Sequence, residues 1–374
     1  MGIPTRRSLS RERVPIVREH IEGAISRGFV PQPAMAKKNK SPFIFRVEAA
    51  GSPLGEVIEC NLLDIKAALL RWGAVLFRGF HVETGSQLRE AANLLSTSEF
   101  MQQESAVTTQ GQQKQLENGA VRHYPNPTAE VPENCHFDSF SWPRRTVLHA
   151  RDTLRRGSKI KLWNLSGVHN ALESDIRHKF LEKGLLHVTN YYPEPGYSWE
   201  ERLGTCDRKE VEKYFQRSEI EFDWLSDGQL RSYARRPAIF KHPETTEAIW
   251  FNRLNLWPAL KCAAMQGEWS RRFAPEEYPV NCFFGDGTDI PQSTMEAIVS
   301  AYDSTVSEVD WQAHDILVLD NVLVSCEGET LNSEYVEHWH DELTTLARVP
   351  ADYGDMVSAK TEMGICVAFA NQAG

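Results

Sequence analysis

Short apolar runs recur along this chain without a helix pattern after each one, and that spacing restricts the fold more than any other feature. Runs at 73–80, 146–150, 160–163, 185–191 and 316–319 read as strands, and 238–251 reads as two strands joined by a turn at His242-Pro243-Glu244. Helical spacing is confined to 61–72, 85–95, 166–183, 207–216 and 292–307. Of these, 207–216 carries mixed charges and is expected to face solvent. A parallel α/β sheet needs a crossover helix between successive strands, and here the alternation is absent. The expected class is therefore α+β, with a jelly-roll core and flanking helices.

The formal net charge of -10 gives no general attraction to nucleic acid or to anionic membranes, so neither is expected as a partner. The seven cysteines include no CxxC pair, which argues against a disulfide framework and for a reducing, cytoplasmic setting. No apolar stretch approaches the length of a membrane span. Residues 1–47 carry ten Lys/Arg against three Asp/Glu and read as a basic, extended segment, with one domain expected over 48–374. The polar stretch 108–132, with Gly111, Gly119, Pro125 and Pro127, reads as a long loop beside a site.

His136-Phe137-Asp138 follows that loop. In extended chain, residues two apart point to one side, so a His and an Asp so spaced can share a metal ion. Phe140 and Trp142, close behind, are the candidates for substrate contact. On spacing alone such a tripeptide is a weak signal, and it needs a third ligand from elsewhere in the chain. The remaining histidines at 149, 169, 178 and 187 lie in expected strands or helices without a metal-ligand spacing, and His314 reads as a loop residue.

Six landmarks stand in a consistent order: Gly73-Ala74-Val75-Leu76-Phe77-Arg78-Gly79-Phe80; His136-Phe137-Asp138-Ser139-Phe140; Trp199-Glu200-Glu201-Arg202-Leu203-Gly204-Thr205; His242-Pro243 followed by Ile249-Trp250-Phe251-Asn252; Phe284-Gly285-Asp286-Gly287; and Trp311 through Asn321. Over about 55–325 the chain resembles the TauD/TfdA-like iron(II) and 2-oxoglutarate-dependent dioxygenases. The resemblance implies a double-stranded β-helix that holds Fe(II) through His-x-Asp and a distal His. It also implies 2-oxoglutarate as co-substrate, with dioxygen and a small molecule as the other partners. Hydroxylation or desaturation of an amino acid or specialised metabolite is the activity it suggests. His136 and Asp138 take the first two ligand places.

Three positions depart from the family pattern. The distal His, five residues after Asp320-Asn321, is replaced by Cys326. A family threonine that helps hold 2-oxoglutarate is replaced by Ile160, and where an arginine normally pairs with the far carboxylate the only basic residue over 354–369 is Lys360. The segment 347–355, with Arg348, resembles what ordinarily follows the distal His, so 327–346 reads as an insertion or as intervening sequence. Within it His340 and His338 are alternatives to Cys326 as third ligand, while Ile160, Arg348 and Lys360 mark the cofactor-binding places. Two rival readings follow: an iron oxidase on the same fold that has dropped 2-oxoglutarate, and a metal-free, catalytically inactive binding protein.

Overall fold

The computed structural model describes residues 44–48, 53–80, 82, 84–96, 101–102, 141–193, 198–203, 205–226, 228–252, 254–256, 274, 277–327, 336–341, 343–345 and 347–349. The chain forms two compact units. The first takes 1–104, 143–164 and 307–344, and the second takes 105–142, 165–306 and 345–374.

The first unit is built on a six-stranded sheet of β1 (Ile44–Glu48), β2 (Ala74–Arg78), β3 (Met101–Gln102), β5 (Arg145–Ala150), β14 (Ile316–Asp320) and β16 (Val336–His340). Their order is β1-β2-β14-β5-β16-β3, antiparallel except where β1 runs parallel to β2. Val75, Phe77, Val147, Ile316, Val318 and Trp339 alternate onto one face. Against that face pack α1 (Leu54–Cys60), α2 (Leu62–Trp72) and α3 (Gly85–Asn93). The residues between them, Ala74, Leu76, Leu148, Leu317 and Leu319, are buried as well, so this sheet is apolar on both faces. Short strands β4 (Ser141–Pro143) and β17 (Leu343–Thr345) flank the places where the chain passes between units.

Two elements add to the sequence reading here. β1 begins inside the stretch expected to be a basic extension, because Ile44 to Glu48 pair residue for residue with Ala74 to Arg78. The segment 327–346, read as an insertion, supplies β16, whose Val336 and Trp339 are buried. Trp339 lies against α3 where a Cβ on Gly85 would come within 3.0 Å of its ring, so glycine there leaves space for the indole.

A second, three-stranded sheet runs β13-β6-β15, from β6 (Lys159–Asn164), β13 (Val306–Asp310) and β15 (Val324–Glu327). Gly73, after α2, has φ of +74°, and a Cβ there would stand 2.2 Å from the Val324 side chain. Only glycine accommodates both the backbone angle and the approach of the turn leading into β15.

In the second unit β7 (Leu185–Tyr191), β8 (Ile220–Trp224), β9 (Leu230–Arg236) and β12 (Val280–Phe284) form an antiparallel sheet in the order β12-β7-β9-β8. A smaller sheet joins β10 (Ile239–Lys241), β11 (Ala248–Trp250) and β18 (Ala347–Arg348). The expected helix over 166–183 is two helices, α4 (Leu165–Ala171) and α5 (Ser174–Lys183), because Glu173, at the N-cap position of the second, turns to an extended ψ of 150°. Next come α6 (Trp199–Leu203), α7 (Arg208–Arg217) and α8 (Gln292–Thr305). α7 is more than the solvent-facing helix its charges suggest. Val211 and Phe215, four apart, are fully buried against Ile220, Leu230 and Ala234. A side chain the size of Phe contributes about 1.5–3 kcal/mol on full burial.

Candidate functional site

The strand that carries Cys326 is set by the turn before it. Asp320 ends β14 with no exposed surface, and its Oδ1 accepts from the backbone N–H groups of Val322 at 3.1 Å and Leu323 at 3.3 Å. Its Oδ2 accepts from Arg145 Nη1 and, at 3.4 Å, from Arg144 Nη2. Asn321 then donates from Nδ2 to the Pro143 carbonyl and from its backbone N–H to the Arg144 carbonyl, both at 3.0 Å. A carboxylate inside a core is costly unless charge and hydrogen bonds meet it, and here two guanidiniums and two amides do. Asp341 extends the cluster, accepting from Arg145 N and Ser96 Oγ, each at 2.8 Å. Burial raises its carboxyl above the usual range. Sequence reasoning passed over this cluster, since its members are separated by up to 245 residues.

From that turn β15 runs antiparallel to β6 with Val324 across from Asn164, Ser325 from Trp163, Cys326 from Leu162 and Glu327 from Lys161. Directly opposed residues in an antiparallel pair share a face, and so do residues two apart in one strand. Cys326, Leu162 and Ile160 therefore lie on one face, where Cys326 is 7% exposed and the other two are fully buried. Lys159 and Lys161 alternate to the other face and are exposed. Two positions where the resemblance puts a metal ligand and a cofactor anchor thus fall on neighbouring strands of one wall, occupied by a thiol and a branched alkyl group.

The other predicted site residues are distributed as follows. His136, Asp138, Phe140 and Lys360 lie outside the described residues. Trp142, His338, His340 and Arg348 are placed by backbone only: Trp142 in β4, Arg348 across from Phe240 in β18, His338 across from Leu148 and His340 across from Thr146. Among the described residues, no group of three His, Cys, Asp or Glu could hold a metal ion. At two described positions the chain departs from the family's manner of holding iron and 2-oxoglutarate, with no nitrogen donor at 326 and no hydroxyl at 160.

The remaining described histidines have other work. His242 is fully buried in the β10–β11 turn, where its Nδ1 accepts from the backbone N–H groups of Thr245 at 3.0 Å and Glu244 at 3.3 Å. That landmark histidine holds a turn. His187 on β7 is held neutral by burial and, secondarily, by Arg236, with its pKa lowered to about 3. His169 on α4 is lowered to about 4, by burial first and then by Arg177. His149 meets Glu337 of β16 at 3.3 Å, and His178 meets Glu182 one helical turn on at 3.2 Å. His314 occupies a turn with φ of +66°.

The family model described as taurine catabolism dioxygenase TauD, TfdA family matches residues 40–350. The dapdiamide synthesis protein DdaC of Enterobacter agglomerans is 28% identical over 257 residues, covering 68% of this chain and 77% of that protein. Among solved structures, a taurine dioxygenase from Burkholderia xenovorans is similar at 14% identity and a TM-score of 0.41, over 82% of this chain and 87% of its own. AAD-2 in complex with Mn(II) and N-oxalylglycine is similar at 13% identity and a TM-score of 0.44, over 83% of this chain and 98% of its own.

Proposed function

The chain belongs to the TauD/TfdA family of dioxygenases, and from that premise we propose that it is a non-haem iron(II), 2-oxoglutarate-dependent dioxygenase acting on a small molecule. The observation that carries this reading is the family match over 40–350, which spans the His136-Phe137-Asp138 motif and the strands of both described sheets in the first unit. His136 and Asp138 are the proposed first two ligands. An amino acid or a related specialised metabolite is the proposed substrate, in keeping with the name of the dapdiamide synthesis relative. The proposed setting is cytoplasmic, and no helix of the described residues is long and apolar enough to cross a membrane.

Anaerobic titration of the full chain with Fe(II), followed by assay of succinate formed on addition of 2-oxoglutarate, dioxygen and candidate amino acids, tests the proposal. Stoichiometric iron that is lost in His136→Ala, with succinate released in step with substrate oxidation, is the expected result. Turnover without succinate removes 2-oxoglutarate from the reading. A second reading, a metal-free binding protein, is favoured by the wall of Cys326, Leu162 and Ile160. Wild-type protein that binds no iron and releases no succinate would select it.

A further inference from the structure

We infer that the second unit carries a binding site for a small monocarboxylate with an apolar body, in a cavity where the end of α5, the end of β9 and the turn after β12 converge. The inference goes beyond the dioxygenase reading and stands on residues of that unit alone. The cavity measures about 200 Å³. At about 30 Å³ for each liquid water, that is room for roughly six or seven waters, less than a drug-sized ligand needs and enough for a short organic acid. None of the residues expected to hold iron or 2-oxoglutarate is among its described lining.

Backbone fixes the shape of the cavity. Gly184 has φ of +65°, and a Cβ there would stand 2.9 Å from the Arg236 carbonyl oxygen. A Cβ on Gly285 would stand 2.1 Å from the Lys183 carbonyl oxygen, and the Gly285 N–H donates to the Gly184 carbonyl at 3.1 Å. Two glycines thus let three chain segments close on one another, so the cavity is framed by backbone more than by movable side chains. Phe180, Leu185, Ala238, Ile239 and Val349 supply its apolar lining, and all five are buried. Phe180 is itself held between Trp250 and Phe284, with ring centroids at 5.0 and 4.9 Å.

Charge selects the ligand. Lys183, Arg235 and Arg236 line the cavity against one carboxylate, Glu182. Arg236 is buried and donates to the carbonyls of Ser218, Glu219 and Arg235, adding its positive charge beside the cavity. Arg235 Nε donates to the Gly285 carbonyl at 3.2 Å, which holds that side chain at the turn. Lys183 pairs with Asp286 at 2.5 Å and Arg235 with Glu221 at 2.6 Å, and both of those acids lie outside the described lining. Such solvent-exposed pairs contribute little, so a ligand carboxylate can share either cation at small cost. The last carbonyls of α5 pull the other way, because a helix carries partial negative charge at its C-terminal end. Lys183 stands in that last turn and offsets them. An inorganic anion would leave the apolar lining unused, and an alcohol would leave the cations unused. A monocarboxylate with a short alkyl or aryl body uses both.

Hexanoate, acetate, 1-hexanol and hexylamine, titrated into the full-length protein by calorimetry with hydrogen exchange over 180–185 and 235–239, test the inference. Hexanoate is expected to bind one site per chain and protect both segments, with each other probe weaker by roughly tenfold or more. Lys183→Gln/Arg235→Gln should weaken hexanoate by a similar factor, and Lys183→Arg/Arg235→Lys should keep it. No hexanoate binding, binding that protects neither segment, or any other probe matching hexanoate overturns the inference. So does unchanged affinity in the double glutamine variant; should that variant fail to fold, the four probes with wild type decide. Loss of hexanoate in His136→Ala, or its displacement by 2-oxoglutarate, also overturns it, and the dioxygenase reading survives that outcome. If hexanoate binds as expected while the protein takes up no iron and releases no succinate, the inference stands and the dioxygenase reading falls.

Discussion

In the first unit the buried polar residues are largely carboxyl groups and their partners: Asp320 held by Arg144 and Arg145, Asp315 by Arg78 at 2.8 and 2.5 Å, and Asp341 by Ser96 and the backbone of Arg145. In the second unit the buried polar residues described are His187, Asn190, Ser232, Arg236, His242 and Asn281, with no carboxylate among them. Arg236 there donates to the backbone carbonyls of Ser218, Glu219 and Arg235. Paired charges fix the geometry of the chain segments that carry them, but each partner depends on the other. Neutral groups depend less on one partner and more on staying neutral. The first unit should therefore be sensitive to truncation and the second to acid.

The largest expected effect is at Asp320. Asp320→Ala leaves two guanidiniums facing an apolar core and should cost about 3–5 kcal/mol in chemical denaturation, the range for breaking a buried pair from one side. Asn190→Ala in the second unit removes Nδ2, which donates to the Tyr278 carbonyl at 2.7 Å, and should cost only about 1–3 kcal/mol. Equal losses at the two sites would break the contrast.

How much of this was readable beforehand depended on whether the signal was local. The strand 185–191 matches its apolar run to the residue because Gly184 closes one end, and Ile316 to Leu319 stand out as an uninterrupted core strand. β1 escaped because its partner lies thirty positions away and nothing in Ile44 to Glu48 announces a parallel neighbour. The buried stripe of α7 is only Val211 and Phe215 among charges, too narrow a pattern to outweigh its polar surroundings. For the site, Cys326 and Ile160 could be named from motif order, but their common face exists only once β15 and β6 are in register. The Asp320 cluster was invisible because Arg145 and Asp320 lie 175 residues apart and neither sits in a motif that demands the other.

Acid provides the next test. His187 and His169 have folded-state pKa values of about 3 and about 4, below the ordinary 6.5, so below pH 6.5 the unfolded chain takes up protons that the native second unit refuses. Stability should fall as pH drops from about 6.5 toward 3, each unit of pKa difference being worth about 1.4 kcal/mol at most. Asp341 acts in the opposite sense. Its carboxyl is raised, so above the ordinary 3.8 the native first unit holds a proton that the unfolded chain gives up, and this contribution to stability is lost as pH rises through the folded-state value. Hydrogen exchange at pH 4.5 and pH 7 should show the β7–β9 sheet opening first in acid, and His169→Gln/His187→Gln should flatten the dependence. Earlier opening of the β5–β14 pair would reverse the assignment.

The smallest effects come from helix starts, where the two units should behave alike. Thr84 begins α3 with a capping box, its hydroxyl accepting from Gln87 N while its own N–H donates to Gln87 Oε1, both at 3.3 Å. Asp207 begins α7 by accepting from Lys209 N at 2.8 Å. Both caps are exposed, so water competes for the same amides and removal costs only about 1 kcal/mol in either unit. Thr84→Ala and Asp207→Ala should therefore destabilise to a similar extent by thermal melting. Salt should separate them, because the Asp207 carboxylate also interacts with the positive end of the helix, an attraction that added electrolyte weakens, whereas the hydroxyl of Thr84 carries no charge to screen. If the caps differed as sharply as the buried sites do, the contrast between the units would reflect overall stability and not the manner in which each buries its polar groups.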